Sequence, residues 1–225
     1  MKTHETIVVA VLAVTLISCG KRTPVLPVVA ASEIKPPAQT EVILRKGMNL
    51  EQIAEPIYGH RRMSLMVAVF NGITDETKIP AGTVIRTPSI PQMFDAAGMA
   101  PEYQPVLNAL AKAVQDYFEM EPVYLELRRK VEEIDPGRMA LPPKIKSTLD
   151  SVADALDAVC ARLETVSAGH KVPRMAINQF KQASFHVRDL AEGNFDGYGY
   201  DYDLVGQRLG HGLSNLLIWV QERHR

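Results

Sequence analysis

Residues 45–54 read RKGMNLEQIA and directly follow the apolar run Val42-Ile43-Leu44. Gly47 accepts the positive φ that a tight turn demands. Asn49 is a strong helix N-cap with Gln52 at the capping-box spacing, and Glu51 lies in the first turn, where the helix dipole favours an anion. Leu50, Ile53 and Ala54 then share one helical face. The stretch therefore joins a strand to a helix. Pro56 keeps that helix short, and Tyr58-Gly59 marks its exit.

Downstream, a second helix is expected from about Arg62 to Phe70, with Leu65, Met66, Val69 and Phe70 on one side and Asn71-Gly72 as its stop. The polar loop from Ile73 to Lys78 and the turn Pro80-Ala81-Gly82 lead into a second strand, Thr83 to Thr87, closed by Pro88. Residues 41–90 thus spell strand, helix, helix, strand. Upstream, residues 21–40 read KRTPVLPVVAASEIKPPAQT, with four prolines and no amphipathic period. Proline-rich chain extends about 3 Å per residue, so residues 19–40 read as a tether able to reach about 60 Å.

Residues 91–225 change to helical periods. Val106, Leu107, Leu110, Val114, Tyr117 and Phe118 form one stripe, and Pro122 is expected to break or restart the helix before Tyr124, Leu127, Val131 and Ile134. Asp135-Pro136-Gly137 ends it. After Leu141-Pro142-Pro143, Ile145, Leu149, Val152, Leu156, Val159, Leu163 and Val166 recur in steps of four and three, a heptad seam closed by Ser167-Ala168-Gly169. Two more helices follow, near Arg174 to Glu192 (Ile177, Phe180, Ser184, Val187, Ala191) and near Asp203 to Glu222 (Val205, Leu209, Gly212 or Leu213, Leu216, Val220). One-sided stripes need one another, and an antiparallel bundle of four or five helices satisfies them. The seam leaves dimerisation open as an alternative. The expected fold class is α+β: a small βααβ unit followed by a mainly α-helical bundle domain.

A formal net charge of −1 argues against a general nucleic-acid binder, which needs a basic face. The split is mild: net +3 from Gly20 to Ile90 and net −4 from Pro91 to Arg225. The first residues are more telling. A weakly cationic start, the apolar or small run Ile7 to Ile17 and then Ser18 describe a secretory signal over residues 1–18, too short to span a bilayer comfortably. Leu16-Ile17-Ser18-Cys19 resembles the bacterial lipobox. That resemblance implies cleavage before Cys19, acylation of Cys19 with fatty chains such as palmitate, and a durable membrane anchor. Gly20-Lys21, with no Asp after the cysteine, implies the outer membrane, facing the periplasm, if the cell has two membranes. Cys160 is the other of the two cysteines, so no disulfide framework is expected.

The βααβ stretch resembles the LysM family. The residues that carry the likeness are Gly47, Leu50, Ile53, Ala54, Tyr58, Gly59, Asn71, Pro80, Gly82 and Ile85. The resemblance implies peptidoglycan binding in a groove between Gly47-Met48-Asn49 and Asn71-Gly72-Ile73-Thr74-Asp75. Typical members have Gly-Asp-Thr-Leu where this chain has Gly47-Met48-Asn49-Leu50. Asn49 keeps the cap, whereas Met48 exchanges a carboxylate for a flexible apolar chain. The tyrosine-glycine exit and proline-alanine-glycine turn also resemble LysM-like modules of phage-tail type, which need not bind glycan.

Other polar residues read as structural. His4, His60, His170, His186, His211 and His224 show no metal-ligand spacing. His60-Arg61-Arg62, with Arg45-Lys46 nearby in sequence, reads as a solvated basic cluster. Cys160 flanks the heptad face as a small buried side chain. Asn194 to Asp203 is a glycine-rich loop with three aspartates and three tyrosines; it is a secondary binding candidate, with Asp203 expected to cap the last helix. Gly206 and Gly210, one turn apart, suit close helix packing. Nucleophile-elbow, Ser-x-x-Lys, His-Glu-x-x-His, phosphate-loop and dinucleotide motifs are absent, so no catalytic residue, metal or cofactor is expected. The expected protein is a non-enzymatic, lipid-anchored cell-envelope component. Its LysM-like unit meets peptidoglycan while the helical domain binds an envelope protein. Alternatives are an assembly lipoprotein using only protein contacts, and a cell-wall hydrolase with an unrecognised active site.

Overall fold

The computed structural model of the chain describes residues 24–132, 139–165, 172–193 and 201–223. The signal segment, Cys19, and most of the tyrosine-rich loop (194–200) lie outside these residues, as do the expected stops at 135–137 and 167–169.

The N-terminal unit has β1 (Glu41–Ile43), α1 (Leu50–Tyr58), α2 (Ser64–Phe70) and β2 (Val84–Arg86). The two strands pair antiparallel, Val42 opposite Ile85. Asn49 and Gln52 form the expected capping box, each side chain accepting from the other's backbone N–H at 2.9 and 3.0 Å. Leu50, Ile53, Ala54, Met66, Val67, Phe70 and Ile85 are buried. Gly59 ends α1 at φ +86°, and a Cβ there would stand 2.7 Å from the Cβ of Phe118. Left-handed backbone and close approach both require glycine at this position.

The helical half comprises α3 (Ile90–Ala96), α4 (Gln104–Glu132), α5 (Pro143–Thr165), α6 (Arg174–Ala191) and α7 (Asp201–Glu222). Helices α4, α5, α6 and α7 pack in sequence, and α7 returns to lie against α2. Seven helices and one two-stranded sheet among the described residues make the fold class α+β. The heptad seam is used within the chain. Ile145, Leu149, Val152, Leu156, Val159 and Leu163 are all buried, with Cys160 beside them. One continuous apolar cluster runs from Leu44 and Leu50 through Phe118 to Leu217 and Val220, so the small unit shares its core with the bundle.

Three expectations are corrected. Pro122 does not break the helix: α4 continues through it for 29 residues. Buried Tyr117, Phe118, Glu121 and Tyr124 bracket the proline, and tertiary burial outweighs the roughly 3 kcal/mol that an interior proline costs. The last helix begins at Asp201, two residues before the expected cap, which places Asp203 inside its first turn. The proline-rich tether is not free as far as Thr40. Val29 and Lys35 bond to α4, and Thr40 accepts from the Thr87 N–H at 2.6 Å, extending the β1–β2 ladder.

Gly59→Ala is expected to lower stability by about 2–4 kcal/mol, since it combines left-handed strain with a backbone-level clash. Urea unfolding of the whole chain measures this.

Candidate functional site

The two loops of the candidate groove are built by internal hydrogen bonds. Asn71 is the main bolt. Its Nδ2 donates to the carbonyls of Val67 and Arg86, each at 2.9 Å, and its Oδ1 accepts from the Arg86 N–H at 2.8 Å. The end of α2 is thereby tied to β2. Asp75 accepts from the Thr77 N–H at 3.0 Å and pairs with Lys78 at 2.7 Å. Those contacts hold its carboxyl below the usual carboxylate range, the Lys78 bond foremost. Asn49 is occupied as the cap. Met48 and Ile73 are half-buried against the core, and Gly47, Gly72 and Thr74 are exposed.

Glu76, just beyond Asp75, has its carboxyl raised by burial and by the charge of Glu51 in the first turn of α1. Asn71 and Gly72 also border a cavity of about 440 Å³ walled by Phe70, Arg86, Ala97 and Gln221. Met48 and Asn49 are not part of that wall. Arg86 lies over the Phe70 ring, 4.9 Å from its centroid. Backbone groups and the apolar chains of Met48 and Ile73 are therefore what this surface offers a ligand, because its Asn and Asp side chains are spent.

A second constellation was not legible in the sequence. A 3-10 turn, Arg61–Met63, sits on α7, and Asp203 meets it. Asp203 accepts from Arg62 Nη2 at 3.0 Å and Arg61 Nη2 at 3.3 Å, and His60 Nε2 stands 3.7 Å from the same carboxylate. Arg62 also reaches toward Glu51 at 3.9 Å. Burial resists ionisation of Asp203, but the bonds and charges of Arg62 and Arg61 prevail and hold its carboxyl below the ordinary range. Gly206 and Gly210 give the turn its seat, since a Cβ at either would collide with the His60 ring or the Arg62 carbonyl. Of the cluster expected to be solvated at residues 60–62, Arg61 is exposed and Arg62 half-buried as they pair with Asp203, whereas His60 is buried.

His60 is a neutral acceptor. Its Nδ1 accepts from the Arg62 N–H at 3.1 Å, which caps the 3-10 turn and leaves the ring proton on Nε2 toward Asp203. The ring stacks on Phe118 at 5.1 Å. Burial, reinforced by Arg61 and Arg62 against the pull of Asp203, lowers its pKa to about 4. Glu121, one turn along α4 from Tyr117, is also buried. Burial and the charge of Asp203 raise its carboxyl to about 7 despite a hydrogen bond from Tyr117. Neither Glu121 nor Asp203 lines the cavity beside Asn71. Among the described residues no group of three His, Cys, Asp or Glu side chains is placed to hold a metal.

Comparison with family models, with curated proteins and with solved structures finds no match for the chain.

The two buried groups act oppositely with pH. His60 favours the fold above its ordinary pKa of 6.5 and loses that contribution as pH falls toward 4. Glu121 favours the fold below its ordinary 4.5 and loses that contribution as pH rises toward 7. Each is worth about 2.5 kcal/mol between pH 7 and 4.5, so the two offset. Relative to the unaltered chain, Glu121→Gln should lose about 2.5 kcal/mol on acidification from pH 7 to 4.5, and His60→Asn should gain about as much. Urea unfolding at both pH values measures the differences.

Proposed function

We propose that the chain is a non-enzymatic, lipid-anchored envelope protein, whose LysM-like βααβ unit binds peptidoglycan while its helical bundle meets an envelope protein. One observation carries the reading. The β1-α1-α2-β2 order has paired antiparallel outer strands, and residues behind the LysM resemblance do structural work within it: the Gly59 exit and the Asn71 bolt, with Asn49 keeping the cap where typical members have threonine. The apolar chains of Met48 and Ile73 suit a sugar face or an acetyl methyl, and the exposed backbone at Gly47, Gly72 and Thr74 supplies polar partners. The anchor rests on the lipobox-like Leu16-Ile17-Ser18-Cys19, and the outer membrane of a diderm cell is its proposed place. No helix among the described residues is long and apolar enough to cross a membrane.

A second reading, in which the protein uses only protein contacts, is favoured by a different observation. Met175 and Phe185 on α6 are 63% and 62% exposed, and the polar side chains of the candidate groove are already engaged. The readings separate experimentally. Residues 21–225 should sediment with washed peptidoglycan sacculi, and Met48→Asp combined with Ile73→Asp should reduce retention at least about tenfold. Retention no greater than that of an unrelated protein of similar size removes the glycan reading.

A further inference from the structure

Residues 29–38 cross the surface of α4 in a way that the rest of the fold does not demand. The carbonyl of Val29 accepts from Asn108 Nδ2 at 3.2 Å. Lys35 donates its backbone N–H to Gln115 at 3.0 Å and its ammonium to Glu119 at 2.6 Å. Pro36 and Pro37 follow, with no N–H to bond and with φ fixed in an extended region. The C-terminal end is held differently: the Gln39 and Thr40 carbonyls accept from Thr87 at 2.8 and 2.6 Å, continuous with the β ladder.

This segment lies over unfilled space. A cavity of about 290 Å³ separates Ile34, Pro36 and Pro37 from Ile57, Val114 and Phe118. On the other flank, a cavity of about 400 Å³ lies among Ile34, Pro36, Pro91, Gln92, Gln104 and Asn108. Both are clefts open to solvent along the edges of the segment, so its contact with α4 is incomplete. The ion pair that anchors it is also exposed, Lys35 at 71% and Glu119 at 50%, and is therefore screened by salt. Leu26, Val29 and Ile34 supply only half-buried apolar contact. The segment thus has a firm hinge at one end, a stiff diproline in the middle and weak anchors beyond.

We propose that residues 29–38 are a releasable strap, hinged at Gln39-Thr40, whose docking on α4 sets how much free chain separates the folded body from whatever holds its N-terminus. Docked, the strap covers the apolar cleft between the end of α1 and α4. Released, it adds about 30 Å of extended chain and uncovers Ile57 and Phe118. The diproline lets it swing as a short rod rather than collapse. The inference rests on neither the lipid anchor nor glycan binding, and its test uses the unacylated chain.

Hydrogen exchange on residues 21–225 tests it, with Glu119→Lys as the variant that places like charge against Lys35 on an exposed part of α4. The hydrogen-bonded amides of Glu33, Ile34 and Lys35 should exchange at least about 100-fold faster than those of α5 and α6, yet slower than free peptide, as local opening requires. Glu119→Lys should speed them at least about tenfold and leave α5 and α6 unchanged. Spin labels at Val28→Cys and Glu102→Cys, both exposed and both near the start of α4 when Val29 is docked on Asn108, should report a short and a long distance, with the long population enlarged in the Glu119→Lys background. Strap amides as slow as those of α5 and α6 in both proteins would overturn the proposal. So would strap amides as fast as free peptide in both, or a single distance that Glu119→Lys does not change.

Discussion

The Asp203 carboxylate braces one half of the chain against the other. Its partners, His60, Arg61 and Arg62, are consecutive residues on one 3-10 turn, about 140 positions away in sequence. Three neighbours can converge on one carboxylate only if the turn lies directly on α7, and glycines at 206 and 210 allow that approach. A glycine inside a helix costs about 1 kcal/mol relative to alanine. Here that cost is offset by the close approach of the His60 ring to Gly206 and of the Arg62 carbonyl to Gly210. The placement of α2 against α7, the stacking of Phe118 on His60 and the fit of Gly59 to α4 all follow from it.

The same brace sets buried His60 and Glu121 near charges that are themselves partly open to solvent. Arg61 and Arg62 keep Asp203 ionised, its charge then discourages ionisation of Glu121, and burial keeps His60 neutral. A neutral imidazole is what the turn needs, because only an unprotonated Nδ1 can accept the Arg62 N–H. The βααβ unit is consequently oriented by its seat on the bundle as well as by its own strands. Its exposed loops have their Asn and Asp side chains already committed, and Asn71 ties the end of α2 to β2.

Local features were legible in the sequence, and those depending on distant partners were not. The Gly47 turn, the Asn49–Gln52 box, the Gly59 exit and the heptad positions of α5 are governed by residues within four of one another, and the structure forms each of them. Pro122 reads as a break because propensity says nothing of the buried Tyr117 and Tyr124 that carry α4 past it. Arg61 and Arg62 read as solvated because their partner is on the last helix. The signals that point to it are Gly206 and Gly210, one turn apart, which mark where the His60 ring and the Arg62 carbonyl come close to α7. Residues 29–38 were read as free tether for a related reason: extended proline-rich chain looks the same whether docked or not, and Gln115 and Glu119 lie 80 and 84 residues from Lys35. In the candidate groove, the fold-forming roles of Asn49 and Asn71 follow from capping rules. Ligand contact, by contrast, depends on surface that no spacing rule describes.

The central claim is that the βααβ unit and the bundle form one cooperative body through the Asp203 brace. Residue-resolved urea unfolding tests it most directly, following amides of α1 and α2 beside those of α5 and α6 in the unaltered chain and in Asp203→Asn. Coincident transitions in the unaltered chain, with those of α1 and α2 displaced to lower urea and parted from the rest in Asp203→Asn, are the predicted result. Separate transitions in the unaltered chain, or an Asp203→Asn profile identical to it, would contradict the account.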